Sequence, residues 1–274
     1  MLELCMTTCH YNELSPEEAV KRFVKKDWRY MELSSEHGGT LLERGNPETS
    51  GREFLRFLKD TGAFIPQGHL WLKCDIAVTN QDEVIDSLKK WIDLYLAAGI
   101  KNAVLHAGGR ELLENGCEVE RIDELRLKGF TEIADHIKGT DMVICIENTN
   151  VLRDADGIID LIKRVGSDRL GICLDTGHQN RFGGSQAEFI HKAKPYLKAL
   201  HINDNEGVHD QHMMPYGKGT VDWNEVVTAL KEINYQGVFN LEIPGEKRCP
   251  FSVRDAKLDY LKTVLTLMLE GVTE

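Results

Sequence analysis

The stretch at residues 200–223, LHINDNEGVHDQHMMPYGKGTVDW, organises the interpretation of the whole chain. It begins as a short apolar run and ends in a glycine-rich segment with a helix start at Asp222. A strand that runs into imidazoles, carboxylates and a glycine-rich loop indicates one wall of a metal site. The alternative is a polar surface loop with a few histidines. The imidazoles and carboxylates of this stretch are His201, Asp204, His209, Asp210 and His212.

Short apolar runs recur through the chain and predict eight β-strands. Each is followed by a segment with helical features, and the units recur every roughly 25 to 40 residues, as βα units require. The predicted strands are 2–7, 29–33, 63–69, 101–106, 141–148, 170–175, 199–203 and 238–243.

Helix signals lie between these strands. Ser15 followed by Pro16 is typical of a helix start, and Asp222 with Glu225 forms a candidate capping box. The segment 37–53 is predicted to be a loop because it contains Gly38, Gly39, Gly45 and Pro47, with a helix only from Phe54 onward. The other predicted helices are 82–98, 122–137, 157–165, 187–193, 222–233 and 253–269.

The alternation of strands and helices defines the fold class. Near-continuous apolar strands indicate a parallel sheet that is covered on both faces. Eight βα units close most simply into a (β/α)₈ TIM barrel, an eight-stranded parallel barrel with outer helices, here as a single domain over residues 1–274. The alternative is an open doubly wound sheet, which the lack of a G-x-G-x-x-G turn after the first strand disfavours.

Composition restricts the classes of function. With 42% hydrophobic and 28% charged residues the chain is an ordinary globular protein, and its net charge of -11 argues against a nonspecific grip on nucleic acid phosphates. No run is apolar enough to span a membrane, and the first residues show no secretory signal pattern. The seven cysteines include no C-x-x-C pair and are typical of reduced thiols, so we expect a cytoplasmic protein.

The candidate site follows from the fold, because the chemistry of such barrels sits at the C-terminal ends of the strands. A lone carboxylate buried there would be costly, and a metal ion offsets that cost. Two glutamates, one aspartate and one histidine favour Mn²⁺, Mg²⁺, Co²⁺ or Zn²⁺ over copper or an iron–sulfur cluster, and more histidine ligands would favour zinc and two or three ions. The residues at these ends are His69, His106, Glu147, Asp175, His178, His201, Asp210, His212 and Glu242.

Several of these residues have a second interpretation. His69 follows Gly68 and could be a loop histidine, Asp175 could cap the next helix, and His178 could contact substrate instead of a metal. Asp204 is interpreted as a turn or supporting residue. Cys145 and Cys173 alternate with the strand-end acids and are interpreted as small fillers of the barrel interior.

Other polar residues are interpreted as lying outside the site. Four histidines fall on predicted loops or helices and are expected to be structural or exposed: His10, His37, His136 and His191. Four basic residues are candidates for contact with a phosphate, although basic side chains are common on any surface: Arg110, Arg181, Lys218 and Arg248.

The strand-end motifs VLHAG, ICIENT, CLDTGH, LHINDN, HDQHMMPYGKGTVDW and NLEIP cover most of the chain. Together they resemble the xylose isomerase-like TIM barrel superfamily, which includes sugar phosphate isomerases and epimerases, ketose 3-epimerases and, more distantly, endonuclease IV. The block around HINDNEG, DQH and GKGTVDW is most similar to the isomerase and epimerase members.

The resemblance implies a divalent metal ion held by Glu147, Asp175, His201 and Glu242. It also implies that Glu147 and Glu242 flank a small carbohydrate: a sugar, a sugar phosphate, or a related polyol or keto compound. One glutamate would remove a proton beside the carbonyl, the other would return it to the opposite face, and the metal would stabilise the cis-enediolate. His178 and His106 would hold substrate oxygens.

The same scaffold leaves three alternatives open. An enzyme similar to endonuclease IV would use all nine strand-end residues to hold three zinc ions and cleave a phosphodiester, although the loop MMPYGKG differs from the nuclease pattern. A lyase or dehydratase could use the same site, since fold does not determine reaction. A metal-binding protein without turnover is the third. Related barrels often pair through surface helices, so a homo-oligomer is a candidate, although no face of this sequence marks one.

Overall fold

The computed structural model describes residues 2–271 and contains one sheet of eight parallel strands. The strands follow one another around the sheet in sequence order, and the eighth pairs with the first. A bridge between Ile202 and Leu241 joins the two remaining edges, so the predicted (β/α)₈ barrel is confirmed. The strands are β1 (Leu4–Thr7), β2 (Tyr30–Leu33), β3 (Phe64–His69), β4 (Asn102–His106), β5 (Val143–Glu147), β6 (Leu170–Asp175), β7 (Leu197–His201) and β8 (Phe239–Leu241).

Helices surround the barrel. Within residues 2–271 no helix is long and apolar enough to cross a membrane. A short 3₁₀ turn (Thr8–Tyr11) follows β1. The α-helices are α1 (Pro16–Lys25), α2 (Ser35–Leu42), α3 (Pro47–Thr61), α4 (Gln81–Ala97), α5 (Arg110–Glu114), α6 (Val119–His136), α7 (Ala155–Val165), α8 (Thr176–Phe182), α9 (Gln186–Ala193), α10 (Trp223–Glu232) and α11 (Phe251–Glu270).

The predicted starts of α1 and α10 are confirmed by their side-chain caps. The Ser15 hydroxyl accepts a hydrogen bond from the Glu18 amide, and the Glu18 carboxylate accepts one from the Ser15 amide. At α10 the Asp222 carboxylate accepts a hydrogen bond from the Glu225 amide at 3.0 Å. Each cap satisfies a backbone donor that the first helical turn leaves without a partner.

The prediction of a loop at 37–53 is wrong, because α2 and α3 occupy this segment. Its glycines serve helix packing. A Cβ atom on Gly38 would lie 2.6 Å from the Tyr95 hydroxyl oxygen, and one on Gly51 would lie 2.5 Å from the Leu94 carbonyl oxygen. Both positions therefore have to be glycine for α2 and α3 to pack closely against α4, and a local sequence pattern does not show this.

The barrel interior below the strand ends is filled by small side chains. Cys145 and Cys173 pack with Val104 and Ala199 in a cluster separate from the main core, and all four are fully buried. Both cysteines are free thiols. The interpretation of these cysteines as interior fillers is confirmed, and the layer they form supports the polar residues one step further along each strand.

Candidate metal centre

Four acidic and imidazole side chains meet at the C-terminal end of the barrel. Glu147, Asp175 and His201 are the last residues of β5, β6 and β7, and Glu242 follows β8. One oxygen or nitrogen atom from each lies within 4.8 Å of the others. His201 Nδ1 is 3.3 Å from Glu147 Oε2 and 3.3 Å from Glu242 Oε2. The parallel sheet thus brings the four side chains close enough to bind one shared cation.

A second group of imidazoles contacts the same oxygen of Glu147 as His201 does. His69 Nε2 is 3.5 Å from Glu147 Oε2, and His106 Nε2 is 3.3 Å from the same oxygen. The three residues form a donor cluster of their own. Glu147 therefore belongs to two clusters, and the alternative that His69 is merely a loop histidine is not supported by its position.

A third group lies toward the mouth of the barrel. His178 and His212 form a cluster with Asp175. The Asp210 carboxylate lies between the two rings, 3.3 Å from His178 Nε2 and 3.2 Å from His212 Nε2. All nine residues predicted from the strand ends are thus brought together at one end of the barrel.

Buried polar atoms without hydrogen-bond partners face the centre of these clusters. Among the described residues, Glu147 Oε2, His201 Nδ1 and His69 Nε2 are buried and unpartnered. Buried polar atoms are nearly always satisfied in native proteins, and a cation with oxygen and imidazole ligands would satisfy these three. The donor set therefore fits the divalent ion expected from the sequence.

Electrostatic interactions within the site are strong. Burial alone would raise the pKa of Glu147, but the imidazoles of His201 and His106 outweigh burial and hold this pKa well below its usual value. Burial raises the pKa of Glu242 to about 7 despite the opposing effect of His201 and His212. The pKa values of the two glutamates are therefore shifted in opposite directions, although both carboxylates are buried at the same site.

The imidazoles compensate for the buried acids. Burial lowers the pKa of His212, but Glu242 and Asp210 outweigh it and raise this pKa to about 10. A divalent cation would need this imidazole in its neutral form, because only a ring nitrogen without a proton can be a ligand.

Residues with two interpretations are assigned by their contacts. Asp175 does cap the next helix, since it accepts the His178 amide hydrogen bond at 2.6 Å, and the same carboxylate lies in the four-residue cluster. Asp204 is a turn residue that accepts hydrogen bonds from the Val221 amide and the Trp223 indole. His209 is exposed and lies in none of the three clusters.

The four histidines interpreted as structural lie outside the clusters. His10 and His37 are buried, at 2% and 1% exposed, in the packing near α1. His136 pairs with Asp93, and His191 pairs with Glu232 on the surface.

A cavity of about 270 Å³ opens above the clusters. Besides predicted site residues it is lined by Leu72, Pro244 and six residues with polar groups or a thiol that the sequence-based prediction omits: Thr7, Cys9, Glu32, Ser34, Ser35 and Glu36. Glu32 on β2 carries the same signal as Glu147, an acid within an apolar strand, and that signal could have identified it. A larger cavity of about 530 Å³ lies at the opposite end of the barrel, between β1, β8, α10 and α11, away from the three clusters.

Asp204 holds the loop that carries Asp210 and His212 in place through hydrogen bonds to two later parts of the chain. The Asp204 amide and carbonyl pair with Met213, and its carboxylate contacts the chain again at Val221. A Cβ atom on Gly219 would overlap the Asp204 carboxylate, so this close approach requires glycine.

Gly219→Ala is expected to lower the free energy of unfolding by about 1–3 kcal/mol, because the added methyl group must displace the buried carboxylate of Asp204. Urea denaturation measures the change. Gly217→Ala in the same loop is the matched control, since its Cβ would lie 3.3 Å from the Met214 carbonyl oxygen and needs only a small adjustment. Equal decreases in the free energy of unfolding of the two variants would contradict the role assigned to Gly219.

Comparison with known proteins agrees with this architecture. The family described as xylose isomerase-like TIM barrel matches residues 29–264, and the chain belongs to this family. The protein y4fM of Sinorhizobium fredii, itself uncharacterised, is 29% identical over 168 residues, which cover 60% of this chain and 53% of y4fM. A D-psicose 3-epimerase of Enterocloster bolteae is 31% identical over 121 residues, 42% of this chain and 38% of that enzyme. The chain thus spans about half the length of the curated relatives it matches first.

Solved structures share the fold. A crystal structure of a D-psicose 3-epimerase in the presence of D-fructose superimposes with a TM-score of 0.82 at 16% sequence identity, covering 98% of this chain and 100% of the other. At this identity the similarity shows the fold alone.

Proposed function

We propose that this protein is a divalent-metal-dependent isomerase or epimerase that acts on a sugar or a related polyol or keto compound. The observation that carries the proposal is the pair of carboxylates, Glu147 and Glu242, each of which has an oxygen 3.3 Å from His201 Nδ1. Both line the cavity above the barrel. Relatives that are D-psicose 3-epimerases support the same class of reaction.

Proton transfer is the chemistry that the two glutamates can perform. We propose that one carboxylate removes the proton from the carbon beside the substrate carbonyl and that the other delivers a proton to the opposite face. A bound divalent ion, held by Glu147, Asp175, His201 and Glu242, supplies Lewis-acid polarisation of the carbonyl. We propose that His106 and His178, which line the cavity, form hydrogen bonds with substrate hydroxyls.

The charge of the cavity supports a neutral substrate. Five carboxylates line it, and no lysine or arginine does so among residues 2–271. The basic residues considered for phosphate binding are engaged or exposed elsewhere: Arg110 pairs with Glu114, Arg181 contacts Asn150, and Lys218 and Arg248 are exposed. A phosphate group would therefore find no lysine or arginine to pair with at the site.

Deuterium exchange tests the proposal. The protein with Mn²⁺ is incubated with free D-fructose, D-psicose and D-tagatose in D₂O, alongside the phosphorylated forms, with Mn²⁺ alone as the control. We expect one solvent deuterium at the carbon that changes configuration in a free sugar, and little incorporation into the phosphorylated forms. A product lighter by one water would instead indicate a dehydratase. No exchange with any sugar would count against the proposal.

The three donor clusters favour a second candidate, a phosphodiesterase similar to endonuclease IV that holds three zinc ions. Its support is that all nine residues needed for such a centre converge at the site. The narrow cavity, the lack of lysine and arginine among its described lining residues and the net charge of -11 disfavour a nucleic acid substrate. Incision of a duplex with an abasic site by the zinc-loaded protein would reverse the ranking.

A further inference from the structure

Glu32 is a buried acid that the proposed chemistry leaves without a role. Its side chain is 0% exposed, and among the described residues no lysine or arginine pairs with it. Taking a carboxylate out of water costs several kcal/mol unless other groups compensate for the lost hydration. The groups that surround Glu32 therefore indicate what it does.

Two side chains donate to the same oxygen of Glu32. His201 Nε2 lies 2.8 Å from Glu32 Oε2, and Gln67 Nε2 lies 2.5 Å from it. Gln67 Nε2 also donates to the Leu200 carbonyl oxygen at 3.1 Å, one residue before His201. This network links β3, β2 and β7 across the barrel interior and holds the carboxylate against the His201 ring.

The other nitrogen of the His201 ring faces the metal cluster. His201 Nδ1 is 3.3 Å from both Glu147 and Glu242 and has no hydrogen-bond partner among the described residues. A neutral imidazole has one protonated nitrogen and one with a free lone pair. A carboxylate at Nε2 keeps the proton there, because it accepts a hydrogen bond and cannot donate one when ionised.

We infer that Glu32 is a positioning residue that holds His201 in the Nε2-protonated form and directs the Nδ1 lone pair to the cation. It acts through His201, and Gln67 fixes its orientation. The inference rests on the metal site of the proposed function, but it is independent of the substrate.

Metal affinity without any sugar tests the inference. Metal-free wild-type protein and Glu32→Gln are titrated with Mn²⁺ in a calorimeter, and circular dichroism checks that the variant is folded. The amide keeps the size of the side chain but removes its charge, and it can present a donor to the His201 ring. We expect an increase in Kd of about 10- to 100-fold, the range found when a group that orients a metal ligand is lost.

Asp255→Asn is the matched control. Asp255 is also a largely buried carboxylate, with 18% of its side chain exposed, but it pairs with Tyr11 and Arg22 instead of a site residue. Its substitution is expected to reduce stability and to leave the Kd for Mn²⁺ within about twofold of wild type. If removing any buried charge weakened metal binding, the Kd for Mn²⁺ would rise equally in both variants.

A spectroscopic measurement on the wild-type protein decides the case even if Glu32→Gln fails to fold. In the protein loaded with diamagnetic Zn²⁺, nitrogen-resolved imidazole NMR spectra should show His201 protonated at Nε2 and unprotonated at Nδ1. A proton on Nδ1, or an unchanged Kd in folded Glu32→Gln, would overturn the inference. If wild-type protein binds no divalent metal, the proposed function fails as well, so the two failures are distinguishable.

Discussion

Replacing Glu147 by glutamine is expected to lower kcat by about 10²- to 10⁴-fold, the contribution typical of a group that transfers a proton in catalysis. Glu147 is 1% exposed, and one of its oxygens contacts three imidazoles, those of His69, His106 and His201. Glutamine has nearly the same shape but cannot accept a proton from carbon. Turnover is measured at saturating Mn²⁺ with the ketose that incorporates deuterium. Metal content is measured in parallel, so that loss of the ion is distinguished from loss of the base.

Glu242→Gln is the companion variant, because the proposed mechanism needs one carboxylate on each side of the substrate. We expect its kcat to fall by about as much as that of Glu147→Gln. Glu232→Gln is the control, since Glu232 is an exposed carboxylate that pairs with His191 away from the site. Wild-type activity in either Glu147→Gln or Glu242→Gln would show that the mechanism with two carboxylates is wrong.

Removal of bound metal is the second change with a large expected effect. Without a cation, the buried acids of the four-residue cluster depend on imidazoles for compensation, and the proposed mechanism has no group to polarise a substrate carbonyl. We expect exhaustive chelation to abolish turnover and readdition of Mn²⁺ to restore it. A cation present at 100 times its Kd stabilises the fold by about 2.7 kcal/mol, which corresponds to a rise in Tm of roughly 5–10 °C for a domain of this size.

Differential scanning calorimetry and elemental analysis measure these effects together. His201→Ala should lose most of the shift in Tm with metal, whereas His136→Ala, which removes a histidine paired with Asp93 outside the clusters, should keep it. One ion per chain would support the isomerase or epimerase, and three would support the second candidate. Full activity in protein that contains no metal would contradict the Lewis-acid part of the mechanism.

Local patterns in the sequence were sufficient to predict the barrel. All eight strands lie where apolar runs predict them, and their ends agree within about two residues, the usual uncertainty of such boundaries. The error at 37–53 has a physical cause. Glycine usually indicates a turn because it tolerates unusual backbone angles, but Gly38 and Gly51 are needed for close contact with α4, a contact made by residues far along the chain.

The candidate site was predictable to the extent that it depends on strand ends. The nine residues placed there by sequence do converge, since parallel strands finish on the same side of a barrel. Glu32 carries the same local signal as Glu147, an acid within an apolar strand, but its contact with His201, 169 positions further along the chain, is visible only in the folded structure.

The sequence by itself determined the number and order of the strands and the polar residues that end them, because periodicity and composition are properties of neighbouring residues. Closure of the barrel decided how these residues are arranged. They form three overlapping clusters, and Glu147 is shared between two of them. Nδ1 of His201 faces the acids, while Nε2 faces Glu32. Such relations depend on distances and ring orientations between strands that are far apart in the chain, and only the packed structure determines those.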